Sequence, residues 1–420
     1  MNGQNYPSKE PGKNLLDGYR ALDLTTDIGF ATGCMLGKYG VDVIKIERPG
    51  GDPSRIKAPY IGGKKDPEKS IFWNVYNADK RGITLDITTE KGKEIFLEMV
   101  KTADFVLESF EPGYLDELGL GYDVLSKVNP AVVLTSITPF GQFGPKAHWK
   151  GGDLIAAARG AVMDNIGDED RCPLLEPADT SIFYGNCAAF CGTMVAHYAR
   201  VQTGEGQQVD ISLQEAGVSR NPQGQIAWMY NRNIIKRMGA FNKYGTTKVR
   251  TIWECKDGFI NWTMFAGFLG AKSNAALSQW MTEDGMENPL AEVTDWVNFS
   301  MAPLSAEQLA HWEDCIAKFF KTHTKDEYRV ESPKRKLNAT VLDEASDLYQ
   351  NYQLNEIGYW KQIEYPEWGV SVPHVRYITS ASETVNETER RAPHVGEHNE
   401  EILGKEFGYN VAELKAAGII

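Results

Sequence analysis

Four clusters of side chains have the types and spacing to do chemistry. The first is the turn Thr25-Thr26-Asp27-Ile28-Gly29, which follows an apolar strand and leads into a helical run. A helix start there presents backbone N–H groups to a phosphate or a carbonyl oxygen. No full GxGxxG accompanies it, so a purely structural turn is the plain alternative. The second is Pro49-Gly50-Gly51-Asp52-Pro53-Ser54-Arg55 with Lys45, Arg48 and Lys57 around it. Such a turn at the carboxyl end of a parallel strand is where α/β proteins bind ligands, and the guanidinium fork suits phosphate. A solvated loop is its alternative. The third, Lys80-Arg81, reads as loop charge ahead of a strand. The fourth is the acidic loop Gly167-Asp168-Glu169-Asp170-Arg171-Cys172-Pro173. A carboxylate there is either surface decoration or a nucleophile, if it is held beside a desolvated electrophile.

Other chemistries lack their residues. No histidines show HExxH spacing, and only His394 and His398 stand four apart. His394 and His398 are interrupted by Gly396 and preceded by Pro393, which rules out a helical metal face, so no metal site is expected. No GxSxG elbow anchors a hydrolase triad. Cys34, Cys172, Cys187, Cys191, Cys255 and Cys315 form no CxxC pair and read as buried free thiols in a reducing cytoplasm.

The elements that must position these groups follow from periodicity. Apolar strands are expected at Arg20–Leu24, Val43–Glu47, Ile83–Ile87, Phe105–Glu108, Val132–Ser136 and Gln208–Leu213. Helices are expected at Phe30–Lys38, at Glu90–Lys101 with Thr88 or Thr89 as cap, and at Ser181–Gln202 with Gly204 closing it. Strands alternating with helices of this length argue for βαβ units and a parallel sheet. Past residue 220 the alternation weakens and eight of the ten tryptophans occur. They either line an acyl pocket or pack the core of a small domain. Arg250–Trp262 reads as a hairpin around Lys256-Asp257-Gly258. The expected division is a large domain over 1–224, a small domain over 225–330, a linker over 331–370 and a C-terminal segment over 371–420, with a last helix at Val411–Ala417.

The chain has 420 residues, 42% apolar and 24% charged, with a net charge of −13. That composition supports real cores and excludes a disordered chain. Its acidity makes nonspecific binding to nucleic acid or anionic membrane unfavourable. No apolar run reaches the roughly 18 residues of a membrane helix. Met1–Asn14, with Pro7 and Pro11, lacks the apolar core of a signal peptide, so a cytoplasmic location is expected.

Taken together, these segments resemble the class III CoA-transferases, the family of formyl-CoA transferase and carnitine CoA-transferase. The resemblance rests on Leu16-Asp17-Gly18, Leu22-Asp23-Leu24, Tyr39–Glu47 (YGVDVIKIE), Pro49–Arg55, Asn77–Asp86 (NADKRGITLD) and Ala103–Gly113 (ADFVLESFEPG). Leu118–Tyr122 (LGLGY), Asn129-Pro130, Phe140–Pro145 (FGQFGP), Thr203–Asp210 (TGEGQQVD) and Arg391–His398 (RAPHVGEH) complete it, in order across nearly the whole chain.

The resemblance implies an α/β fold: a Rossmann-like parallel-sheet large domain formed by both chain ends, a smaller α+β domain, long linkers and an interlocked ring-like dimer. It implies transfer of CoA from an acyl-CoA to a free carboxylic acid, with CoA as substrate and no permanently bound cofactor. It places the nucleophilic aspartate at Asp170, with Asp168 the competing register. It further implies that the backbone of Thr26 and Asp27 lies near the thioester, Arg48 near the nucleotide end, and Leu85 and Phe110 around the adenine. No general base is required, because a carboxylate is already ionised near neutral pH.

Departures from the family pattern are Ile28-Gly29-Phe30 for Ala-Gly-Pro, Asp27 where some members have Gln, Ser109 where Asn is common, and Glu117 where some place a phosphate-contacting Arg. Tyr244-Gly245-Thr246-Thr247-Lys248 has one glycine where formyl-CoA transferase has a Gly-rich flap, which points to the carnitine-type branch. Two alternatives stand beside CoA transfer. A 2-methylacyl-CoA racemase shares the fold, but Gly152 occupies its histidine position and leaves Asp179 without a partner. A non-catalytic CoA-binding subunit of a hetero-oligomer is the other.

Overall fold

Strands that are apolar on both faces, each followed by a helical crossover, assemble into a six-stranded parallel sheet. The computed structural model describes residues 14–244, 247–376, 379, 381–382 and 390–420. The N-terminal residues 1–13, and Gly245 and Thr246 of the flap comparison, lie outside the described residues.

The chain divides into two units. The first comprises residues up to Met163, Leu175–Ile234 and Gln353–Ile420; the second comprises Asp164–Leu174 and Ile235–Tyr352. In chain order the first unit opens with β1 (Arg20–Asp23), α1 (Phe30–Lys38), β2 (Asp42–Glu47), α2 (Ile71–Tyr76), β3 (Lys80–Thr84), α3 (Glu90–Val100) and β4 (Phe105–Glu108). It continues with α4 (Tyr114–Glu117), α5 (Tyr122–Val128), β5 (Val133–Thr138), α6 (Asp153–Arg159), α7 (Thr180–Thr203), β6 (Gln208–Ser212), α8 (Leu213–Arg220) and α9 (Pro222–Asn231). The sheet order is β3-β2-β1-β4-β5-β6, with every neighbouring pair parallel.

Alternation along each strand divides the core. Leu22, Ile44, Ile83, Val106 and Leu134 pack on one face, with Ile402, Leu403 and Leu414 from the chain end. Their neighbours Ala21, Val43, Phe105 and Val133 pack on the other face, against Leu36 and Ala196. This is the period-2 geometry of a strand covered on both sides. Thr89 caps α3 by accepting the Gly92 N–H, and α7 ends at Gly204 in the left-handed region.

Most strands differ from the sequence reading by one or two residues at an end, and β3 by three. β3 starts at Lys80, not Ile83, because Lys80 and Arg81 pair in register with Val43 and Ile44. Neither is a solvated loop charge. Both are buried in ion pairs, Lys80 with Asp23 and Arg81 with Asp42 and Glu401. A second correction concerns the cysteines. Cys34, Cys255 and Cys315 are buried free thiols, whereas Cys172 and Cys191 are exposed.

The second unit holds two antiparallel sheets. One pairs β7 (Phe241–Tyr244) with β8 (Thr247–Arg250). The other is built from β9 (Ile252–Cys255), β10 (Gly258–Asn261) and β11 (Thr340–Val341). Helices α10 (Gly267–Glu283), α11 (Ala306–Phe320), α12 (Lys325–Arg335) and α13 (Ala345–Gln350) accompany them. Trp253, Trp262, Trp280 and Trp312 belong to the buried core of this unit, packed on Phe319 and Phe320, so these four do not line an open acyl pocket.

Helix α14 (Tyr352–Glu356) carries the chain back into the first unit. There β12 (Trp360–Tyr365) and β13 (Val370–Val375) form a hairpin, a π-helical turn covers Glu400–Glu406, and α15 (Val411–Ala416) closes the chain. Among the described residues no helix is long and apolar enough to cross a membrane.

Candidate active site

The turn after β1 is built on a buried charge cluster. Asp23 Oδ1 accepts from the Thr25 N–H at 2.9 Å and from its hydroxyl. Lys80 Nζ donates to Asp23 Oδ2 at 2.8 Å, to Phe30 O at 2.9 Å and to Asn77 Oδ1 at 2.8 Å. Lys45 Nζ lies 3.6 Å from Asp23 and donates to the carbonyl oxygen of Thr25. Burial alone would push the Asp23 carboxyl up. The two ammonium groups outweigh it and hold the carboxyl below the usual range.

Helix α7 fixes the far side of the same turn. Asn186, fully buried, donates to Ile28 O at 2.8 Å and accepts from the Thr32 N–H at 2.9 Å. On the sheet side, Thr26 N–H donates to Ser109 Oγ at 2.6 Å, and the two hydroxyls lie 2.9 Å apart. Ser109 therefore braces the turn, and the Thr26 N–H is already engaged. Asp27 is half-buried and paired with Lys57, whose Nζ sits 4.5 Å from the centroid of the Phe72 ring.

A small recess opens beside this turn, lined by Asp27, Ala31, Phe72, Tyr76, Asp179, Ile182, Phe183 and Asn186. Asp179 enters it from the start of α7. Its backbone is left-handed at φ 50° and ψ 41°, and Ala178 before it has φ 68°. Such conformations cost non-glycine residues about 1–3 kcal/mol each and persist where the surroundings enforce them. The carboxylate of Asp179 makes no capping bond to its own helix. That work falls to Asp153, which accepts from the N–H groups of Ser181 and Ile182 at 2.8 and 3.1 Å. Among the described residues nothing else bonds the Asp179 carboxylate, which stands at the positive end of a 24-residue helix. Burial, with the charge of Asp179 adding to it, pushes the Tyr76 phenol up.

The other expected site residues lie elsewhere. Arg48 is exposed and donates to Gly51 O at 3.3 Å. Arg55 is unavailable to a ligand. It is buried, bidentate to Glu47 at 2.7 Å, bonded to Glu68 and Pro393 O, and stacked 3.7 Å over Trp73. Leu85 is buried in the sheet core just past β3. Phe110 is half-buried against that core, its ring 5.0 Å from Tyr114, and its N–H donates to Glu108 at 2.7 Å. Glu117 is exposed on α4.

Asp168 and Asp170 belong to the second unit, in the Asp164–Leu174 segment. Arg237 donates to the backbone carbonyls of Asp168 and Arg171 there, and the Gly239 N–H donates to Gly167 O at 2.9 Å. Asp170 is exposed, and among the described residues its carboxylate has no hydrogen-bond or ion-pair partner. Sequence reasoning placed Asp179 only in relation to a missing histidine. The signal for it was the Pro177-Ala178-Asp179 break immediately before the longest helical pattern.

Known proteins resemble this chain across nearly its whole length. The model of CoA-transferase family III matches residues 16–399. The chain is 29% identical over 399 residues to the succinyl-CoA:(R)-benzylsuccinate CoA-transferase subunit BbsE of Thauera aromatica, covering 94% of this chain and 95% of that one. It is 27% identical over 414 residues to the succinyl-CoA–D-citramalate CoA-transferase of Chloroflexus aurantiacus, covering 96% and 98%. A crystal structure of a CAIB/BAIF family protein from Brucella suis superposes with a TM-score of 0.79 at 25% identity, covering 93% of this chain and 99% of that one. The chain therefore belongs to CoA-transferase family III.

Proposed function

We propose that the enzyme moves CoA from an acyl-CoA to a free carboxylic acid through an aspartyl intermediate, and that Asp179 is the attacking carboxylate. The observation that carries this reading is the recess in which Asp179, strained and unspent, adjoins the turn at Asp27. Asp170, the position implied by family resemblance, is the competing nucleophile.

The steps balance without an external base. The aspartate oxygen attacks the thioester carbonyl, and CoA thiolate leaves from a mixed anhydride. The thiolate attacks the aspartyl carbonyl, giving an aspartyl-CoA thioester and releasing the donor acid. The acceptor carboxylate attacks that thioester, and the returning thiolate takes the acceptor acyl group and frees the aspartate. Water must stay out, or the anhydride hydrolyses. Phe72, Ile182 and Phe183 give the recess apolar walls that disfavour water. The positive end of α7 and the Tyr76 hydroxyl supply dipoles for developing oxyanions. The relatives named for succinyl-CoA make a dicarboxylic donor the first to test.

Racemisation is disfavoured. Gly152 supplies no acid–base group, and Asp153 beside it is committed to capping α7. A homodimer remains our proposal for assembly, with an interlocked form implied by family resemblance. Relatives named as subunits keep a hetero-oligomer as the alternative, which turnover by the purified chain alone would exclude. The test of mechanism is to mix the enzyme with succinyl-CoA, trap with hydroxylamine or borohydride, and map the modified peptide. An adduct on Asp179 supports the reading. One on Asp170 moves the nucleophile to the acidic loop. Full activity in both Asp179→Ala and Asp170→Ala, with no adduct, removes the covalent mechanism.

A further inference from the structure

Helix α11 presents His311 and Cys315 one turn apart, and the loop after α10 brings Glu287 to them. His311 Nε2 lies 3.5 Å from Glu287 Oε1, and His311 Nδ1 lies 4.0 Å from Cys315 Sγ. One donor atom from each of the three residues falls within 4.8 Å of the other two. All three belong to the second unit.

The local structure holds this group for its own reasons. A capping box, Ser305 with Gln308, starts α11. Trp312, Cys315, Ile316 and Phe319 bury one helix face in the tryptophan core. Cys315 lies at the edge of that face, so its sulfur is shielded while His311 and Glu287 remain exposed above it, at 54% and 64%. The exposed pair leaves an entry path for an ion.

We propose that Glu287, His311 and Cys315 form a binding site for a zinc-class divalent cation, independent of the acyl-transfer chemistry. The donor set is carboxylate, imidazole and thiolate. That mixture suits zinc and cobalt and is wrong for magnesium or calcium, which take oxygen ligands. Tetrahedral zinc geometry requires donor separations of about 3.4 Å between nitrogen and oxygen and about 3.6 Å between nitrogen and sulfur. Closing the site from its present spacing requires the exposed imidazole to rotate so that one nitrogen faces both neighbours. Water completes the fourth position. Binding replaces the thiol proton by the metal and releases that proton to solvent. The bound ion ties the loop after α10 to α11.

The test uses the full-length protein, stripped with a chelator and titrated with Co2+. One equivalent is expected to bind with a thiolate-to-cobalt charge-transfer band, confirmed by metal analysis after dialysis. Replacing Cys315 risks the core, so the decisive variants are the exposed His311→Gln and Glu287→Gln. Each is expected to weaken Co2+ binding at least about tenfold. Zn2+ is expected to raise the melting temperature of the unmodified protein and not that of either variant, while CoA-transferase turnover stays unchanged in both. Absence of the charge-transfer band in the unmodified protein overturns the proposal. So does retention of its affinity in either variant.

Discussion

Asn186 Oδ1 accepts both the backbone N–H and the hydroxyl of Thr32, at 2.9 and 2.8 Å, from a position 154 residues further along the chain. The same side chain donates to Ile28 O. It thereby sets the distance between the turn at Asp27 and the start of α7 at Asp179. Replacing it by alanine strands buried donors and acceptors, which costs roughly 1–3 kcal/mol per unsatisfied group. Asn186→Ala is expected to lower stability by about 3 kcal/mol in urea unfolding. It should also depress kcat more than it raises KM for acyl-CoA. Unchanged kcat in a folded variant would contradict the positioning role.

Asp179→Asn keeps shape and removes the attacking anion. Loss of a covalent nucleophile commonly costs several powers of ten in rate. CoA affinity, measured by calorimetry, should change little. Asp170→Asn is expected to retain most activity. The opposite ranking of the two variants would transfer the nucleophile to Asp170.

The cluster under the turn makes an asymmetric stability prediction. Asp23 shares its buried carboxylate with Lys80 at 2.8 Å and Lys45 at 3.6 Å. Lys80→Met leaves a balanced Asp23–Lys45 pair, whereas Asp23→Asn leaves two buried ammonium groups with no counter-charge. Breaking a buried pair costs about 3–5 kcal/mol. Asp23→Asn should reach or exceed that range and Lys80→Met should fall below it. Equal losses in denaturant titrations would show that the charges are not coupled.

Glu108, at the end of β4, has its carboxyl pushed up to about 7 by burial, against an ordinary value of 4.5. The folded state therefore holds this proton more tightly than the unfolded chain, so the contribution is present below pH 4.5 and lost as pH rises through 7. The span corresponds to about 3 kcal/mol. Glu108→Gln should remove this pH dependence and gain stability relative to the parent at pH 8, but not at pH 5. Parallel stability–pH curves for the two proteins would reject the assignment.

Much of the sheet was legible in the sequence because parallel strands are buried on both sides and read as short apolar runs. The strand Phe105–Glu108 and the crossover helix Phe30–Lys38 have the bounds expected of them. The charged start of β3 was not legible, since nothing local reveals that Lys80 will meet Asp23 from another strand. Arg55 misled for the same reason: a guanidinium beside glycines looks like a phosphate ligand until Glu47 and Trp73 are seen to occupy it. Asp179 was hidden by its context, because its left-handed backbone and the capping by Asp153 exist only in the folded chain. The Glu287–His311–Cys315 group mixes a helix pair with a residue far away in sequence, which no spacing rule captures.

The second unit is made of two separate stretches, Asp164–Leu174 and Ile235–Tyr352, so the chain passes between the units at four places. A single recombination event therefore cannot exchange this unit between relatives. A transplant of 235–352 alone would leave behind the loop that contacts Arg237 and Gly239, and with it part of the donor's own hydrogen bonding. Chimeras that exchange this unit therefore need both segments from the same parent.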